Sequence, residues 1–489
     1  MKWLKIGIFL TILSIFVYLR ITPILNQTVP YTYDQGRDFL KIQEIFRDKN
    51  ITFIGPTTGI QGVYHGVWWY YFLVLPYLLF SGWPQGFYFF LFFANLLANI
   101  GFYLFLKKEY GFASGLFFLS VTSVSTFFIR TAFFASNNIL SPLFVMLLIY
   151  SIYQMLKKDK KIYFFLLGIS LGFIFETELA FGLFVIPSFF ITYFLLKKLK
   201  NIYLIAAGII APMTPRIFFE LKNNFSQAKA FFSYLSSGKN EHPIQFAGLV
   251  LERLATFWQA WKSIFYQEST IIAFFFLAMV LSLLIFKNKL TKEKKISASF
   301  LTLFLFFIFI ITLLNRNGFF WSYYIDGIQY IFLFLIMTGF YLLEKNRKTK
   351  SLSYFLLISA IFISLFVFVK EISGRKPIPL IGLRADDTII RYVLEKNEKK
   401  NFCLNIYTPP IFPFTYRYLL DYYTKKDSSV YLTSQPVDNR CWYIIDYDDD
   451  KERINDWRKK NVPSSGKLME KKTFENKTSV ELILHPNLP

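Results

Sequence analysis

"PYTYDQGRDFLKIQEIF", residues 30–46, decides how the rest of the chain is read. Phe39, Ile42, Ile45 and Phe46 recur at helical spacing while Asp34, Asp38 and Lys41 fall on another face, so residues 34–47 predict an amphipathic helix. Very apolar runs lie on both sides of it, which places this helix in a membrane interface. An interfacial helix needs Lys and Arg; it does not need paired carboxylates. Asp34, after Pro30 and the "YTY" turn, therefore has two readings: the N-cap of the helix, or a carboxylate presented at the membrane surface for chemistry.

Composition agrees with the membrane setting. The 489 residues are 54% hydrophobic and 21% aromatic with 61 Phe, more aromatic and less charged than an ordinary soluble chain. Stretches long enough to cross a hydrocarbon core of about 30 Å recur throughout residues 1–369. The first, "WLKIGIFLTILSIFVYLR", lacks a small-residue cleavage site and reads as a retained helix.

The net charge of +22 is concentrated in short loops: Lys107–Lys108, Lys157–Lys161, Lys197–Lys200, Lys287–Lys295 and Glu344–Lys350. Loops of that kind mark the cytoplasmic side and contact with anionic membrane lipids, and no nucleic-acid partner is expected. The same rule orders the spans. "VWWYYFLVLPYLLF" (67–80) is short, contains Pro76 and is crowded with Trp and Tyr, so it reads as interfacial or re-entrant. With that block not crossing, every Lys cluster falls inside, and spans are expected near residues 3–19, 85–106, 111–129, 138–156, 161–175, 180–196, 201–215, 269–286, 296–314, 325–343 and 351–369. The expected fold class is a polytopic α-helical membrane protein with about 11 transmembrane helices. The N-terminus is cytoplasmic in the plasma membrane, interfacial helices occupy the first outer loop, and a small extracytoplasmic α/β domain forms the C-terminus.

The domains are then 1–369, transmembrane, with large outer loops 20–66 and 216–268, and 370–489, the α/β domain. In the tail, "ADDTIIRYVLEKN" and "FTYRYLLDYYTK" are helix-like, "NFCLNIY" and "CWYIIDYDDD" strand-like. Cys403 and Cys441, both in strand-like runs, read equally as a disulfide or as two buried thiols.

The order "YDQGRDFLKIQEIF…ITFIGPTTGIQGVYHGVWWYYFLVLPYLLF", "RTAFFASNNILSPLFVMLL" and "PRIFFELKNNF" resembles the GT-C superfamily of membrane glycosyltransferases. The branch it resembles contains the protein O-mannosyltransferases and the lipid A aminoarabinose transferases. The resemblance covers roughly residues 1–345 and is strongest in the first-loop block. It implies transfer of a monosaccharide from a polyprenyl-phosphate donor to an envelope glycan, lipid or protein acceptor on the outer face. It also implies an acidic residue of the first loop as general base. The family often has Asp-Glu there; this chain has Asp34 followed by Gln35, which leaves Asp34 as the base and Asp38, one turn on, as an assistant.

Substrate-binding candidates follow from the same pattern. Tyr64 and His65 lie in the glycine-rich "GPTTGIQGVYHGVWWYY", and Asn137 in "ASNN". Arg130, Arg216 and Lys222, at outer span ends, form a candidate phosphate clamp, since a guanidinium offers a bidentate fork at the depth of a lipid phosphate. Cations at helix ends also snorkel without further role. Glu178, next to Glu176 in "FETELAFG", is costly at a membrane boundary unless it faces a wet cavity or a cation. Glu220, Arg316 and Tyr324 complete the set, none with a catalytic role. No cofactor and no metal site are expected, a divalent ion being left open: "DYDDD" (446–450) lacks the Gly and terminal Glu of an EF-hand and reads as a solvated strand end. The alternative function is a transporter or flippase of lipid-linked sugars. That would call for charges at the bilayer midplane and two related halves, whereas this chain gathers its acids in one outer loop.

Overall fold

Each of the eleven expected spans is a helix in the computed structural model: Lys2–Leu25, Pro84–Tyr110, Phe112–Val124 continued by Thr126–Arg130, Ser141–Lys158, Lys161–Thr177, Leu179–Leu195, Ile202–Lys222, Thr270–Phe286, Lys292–Thr312, Ile328–Lys345 and Lys350–Ser373. The structure describes residues 2–196, 200–236, 244–316, 320–374, 377–397, 401–409, 412–426, 432–433 and 435–485. Parts of the Lys197–Lys200 cluster and of "NRNGFF" (315–320) thus lie outside the described residues. Among the described residues seven helices are long and apolar enough to cross a membrane by length and composition, and the chain is a polytopic α-helical membrane protein. Block 67–80 forms the helix Trp68–Leu79, 12 residues long with Pro76 inside it, too short to span a bilayer at 1.5 Å per residue.

Two compact units make up the chain. The first comprises Met1–Ile21, Ile51–Phe72 and Phe90–Arg375. Its core is largely Phe, Leu and Ile, with stacked pairs such as Phe117–Phe340 and Phe144–Phe173. Where helices meet without a hydrophobic driving force between them, small residues let backbones approach. Gly168 and Gly208 do this for helices Lys161–Thr177 and Ile202–Lys222: a Cβ on Gly168 would lie 2.2 Å from the Ile205 carbonyl oxygen. Arg20 is wholly buried in this unit. Its guanidinium donates to the carbonyls of Thr122 and Ser123, satisfying a helix end that stops at extended Ser125, and stacks on Phe16.

The second unit comprises Thr22–Asn50, Leu73–Phe89 and Lys376–Pro489. Its sheet has strands β1 (Phe402–Tyr407), β2 (Leu432–Thr433), β3 (Arg440–Ile445), β4 (Lys467–Thr473) and β5 (Ser479–Leu484) in the order β2-β1-β3-β5-β4. β1 runs parallel to β2 and β3, while β5 is antiparallel to β3 and β4. β3 is buried along almost its whole length, as expected of a strand covered on both faces, whereas the charged β4 forms an exposed edge. Cys403 and Cys441 are joined in a disulfide across β1 and β3. The "DYDDD" tract has structural partners: Asp446 accepts from Tyr416 and Thr478, Asp448 from Tyr407, and Asp450 caps the helix Lys451–Asn461.

Candidate active-site residues

In the second unit, Tyr33–Arg47 is a helix as its periodicity predicts, and its start shows why Gln35 stands beside Asp34. Thr32 is the N-cap, and the Gln35 side chain reaches back to accept from the Thr32 backbone N–H at 2.8 Å, closing a capping box. The cap reading of Asp34 is thereby displaced. Asp34 lies in the first turn, where a carboxylate also suits the positive end of the helix dipole.

Arg37 organises both acids of this helix. It meets Asp34 at 2.9 Å and Asp38 at 2.8 Å, but the two carboxylates differ in access. The Asp38 side chain is 2% exposed and that of Asp34 59%. Asp34 is open to solvent; Asp38 sits in the interior, paired with its neighbour.

The apolar face of this helix is covered by protein of the same unit. Phe39 stacks on Phe87 and meets Tyr418 edge-on, and Ile42 and Ile45 are buried with it. Helix Phe414–Lys426 approaches so closely that a Cβ on Gly36 would lie 2.4 Å from the Thr415 backbone nitrogen. Gly36→Val is expected to destabilise the protein by about 3 kcal/mol or more, because backbone and not a flexible side chain must move; thermal unfolding of the full chain measures this.

In the first unit, residues 51–67 form a hairpin-like loop. Gly55 N–H donates to the His65 carbonyl, His65 N–H to the Pro56 carbonyl and Thr58 N–H to the Val63 carbonyl. Arg216 ties this loop down. Its Nε donates to Glu176 at 2.7 Å, and one terminal nitrogen donates to the Tyr64 carbonyl at 2.9 Å and to Gln227 Oε1 at 3.2 Å. The same Gln227 oxygen accepts the Tyr64 N–H, and Gly66 N–H donates to the Glu176 carbonyl. Glu220 caps the helix Ser226–Ser236, accepting the N–H groups of Gln227 and Ala228. Arg216 and Glu220 thus hold the loop and the helix beside it; Lys222 and Arg316 are exposed.

A second group surrounds the break between helices Lys161–Thr177 and Leu179–Leu195. Asn137 donates to the Thr177 carbonyl, and the Leu179 N–H approaches His65 Nδ1 at 3.5 Å. Glu178, between the two helices, is buried, and burial pushes its carboxyl up to about 8, with the charge of nearby Asp326 adding to the shift. Asp326 itself is buried and meets Arg130 at 3.2 Å. The Arg130 side chain remains 47% exposed while Asp326 is 4% exposed, so the buried carboxylate orients a guanidinium that keeps donors facing outward. Asp326 is absent from the residues expected from sequence; a lone Asp at the start of an apolar span was the available signal.

The raised Glu178 carboxyl fixes a sign. Its folded value lies above the ordinary 4.5, so ionisation opposes folding, and the stability present at low pH is lost as pH rises towards about 8. Between pH 6.5 and 8.5 the melting temperature is expected to fall, and Glu178→Gln to flatten that fall, as read by thermal unfolding at the two pH values.

No family model matches the chain, and no curated protein matches it. Among solved structures, that of ArnT from Cupriavidus metallidurans bound to undecaprenyl phosphate aligns with a TM-score of 0.58 at 11% identity, covering 98% of each chain. The chain has the fold of that ArnT. The GT-C resemblance read from the first-loop block holds at the level of fold, and the ArnT alignment extends it through the C-terminal α/β segment. At 11% identity the likeness is carried by the arrangement of the backbone.

Proposed function

We propose that the chain is a glycosyltransferase that moves a monosaccharide from a polyprenyl-phosphate donor to an envelope glycan, lipid or protein acceptor on the outer face of the membrane, with Asp34 as general base. The observation that carries the reading is an ionisable, accessible carboxylate on the first-loop helix of a chain with the fold of ArnT, whose structure holds undecaprenyl phosphate. In the reaction proposed, Asp34 takes the proton of an acceptor hydroxyl while its oxygen bonds to the anomeric carbon. The bond from that carbon to the phosphate oxygen breaks, its electron pair leaving with the polyprenyl phosphate. The leaving group is already an anion and needs positive charge rather than a proton.

Donor binding is a separate assignment. It falls to Arg130, held by Asp326, with the exposed Lys222 and Arg316 as further cations. Arg216 is given a structural part, since its guanidinium is taken up by Glu176, Gln227 and the Tyr64 carbonyl. His65, Tyr64, Asn137, Glu178 and Tyr324 are assigned to sugar recognition. The proposed orientation is N-terminus cytoplasmic and C-terminal segment extracytoplasmic. The experiment supplies purified chain with radiolabelled polyprenyl-phosphate sugars and native membrane extract. Release of polyprenyl phosphate that depends on the extract is the expected result; release without any labelled glycoconjugate would point to hydrolysis, and none with any donor would remove the reading.

A further inference from the structure

The second unit carries a polar cleft of about 360 Å³ that the proposed chemistry does not use. One wall is a face of the helix Leu383–Lys396, on which Arg384, Thr388, Arg391 and Glu395 recur at helical spacing. Gln27 and Lys472, from distant parts of the sequence, close it.

Backbone contacts build the junction. Leu383 N–H donates to the Val29 carbonyl and Arg384 N–H to the Gln27 carbonyl, which brings the helix start onto the 27–29 segment. Gly382 allows it: its φ is +57°, and a Cβ there would lie 2.0 Å from the Val29 carbonyl oxygen. The backbone of this end of the cleft is therefore fixed by the fold.

Its charges are unequal in kind. Arg391 is committed, bound to Asp387 at 2.9 Å and to the Tyr423 hydroxyl. Arg384 and Lys472 have no carboxylate within ion-pair distance among the described residues. Lys472 is nevertheless held in place, its ammonium 4.1 Å from the centre of the Tyr392 ring and 4.8 Å from that of Phe474. Arg384 and Lys472 therefore remain available to an anion, and with Arg391 the cations of the lining outnumber its two carboxylates, Asp387 and Glu395. Thr388, Gln27 and the Glu395 carboxylate around them offer donors and acceptors suited to sugar hydroxyls.

We propose that this cleft binds an acidic saccharide, a sugar bearing a carboxylate or phosphate, with Arg384 and Lys472 on its charge. That this saccharide belongs to the acceptor rests on the transferase reading; the binding itself does not. A volume of about 360 Å³ accommodates one or two sugar rings, so affinity resides in a terminal acidic unit and its neighbour.

The test measures equilibrium binding to the full-length chain in detergent, without donor, so that its outcome is independent of any turnover. Tetragalacturonate presents carboxylates, maltotetraose phosphorylated on its terminal sugar presents a phosphate, and maltotetraose is the neutral control. At least one acidic probe is expected to bind ten-fold or more tighter than the neutral one, and to weaken with added salt. Whichever acidic probe binds names the source of the charge. The Arg384→Gln, Lys472→Gln double variant is expected to remove that preference, and Glu395→Gln to tighten acidic binding by removing a like charge. Equal binding of neutral and acidic probes, no binding of any, or an acidic preference that survives the double variant would each overturn the proposal.

Discussion

Replacing Asp34 by Asn is expected to lower kcat about 10³-fold, roughly 4 kcal/mol of transition-state stabilisation, while leaving the melting temperature within a few degrees of the parent. The two halves of that expectation have separate causes. An amide of the same size keeps the side chain's shape but cannot take a proton. Its effect on stability is small because the Asp34–Arg37 pair is more than half exposed on the Asp34 side, and exposed pairs contribute about 1 kcal/mol or less. Asp38→Asn should behave in the opposite sense. That carboxylate is buried against Arg37, so its replacement costs stability, by about 1–3 kcal/mol because Arg37 keeps its pair with Asp34. Undiminished turnover in the Asp34 variant, measured as polyprenyl phosphate released per enzyme, would remove this residue as the base.

The second large effect is on folding. Arg216→Ala is expected to destabilise the chain by about 3–5 kcal/mol, because Glu176 is left buried and charged with no counter-ion. The Tyr64 carbonyl and the Gln227 oxygen lose a donor as well, about 1 kcal/mol each. The double variant Arg216→Met, Glu176→Leu should recover most of the ion-pair loss, since apolar groups of similar volume replace both charges. Thermal unfolding of the single and double variants gives the coupling. A guanidinium needed only for a lipid phosphate would show the reverse: normal stability and a raised KM.

These two arginine networks show where sequence reading stops. The helix around Asp34 was legible because amphipathic periodicity is local, and so were the eleven apolar helices and the strand-like runs that became β1 and β3. The T-x-x-Q spacing of a capping box is equally local, at Thr32 and Gln35, and accounts for a glutamine where the family dipeptide has an acid. A cation at a span end, such as Arg216, is compatible with a phosphate ligand. What occupies this guanidinium is Glu176, 40 residues away, and the Tyr64 carbonyl, 152 residues away, and no spacing rule reaches either. Asp326 obeys the same rule as Glu178: a carboxylate beside an apolar span must find a partner. β4 is a charged edge strand that carries little hydrophobic pattern to read.

The second unit has a consequence for how the protein is made. Residues 33–47 rest on residues 414–426, which leave the ribosome long after them. At about 5–20 residues per second, the early helix waits on the order of tens of seconds before its cover exists. Throughout that interval Phe39 and Ile42 have no finished surface to rest on. A premature stop late in the gene, sparing every transmembrane helix, would leave the catalytic candidate permanently in that nascent condition.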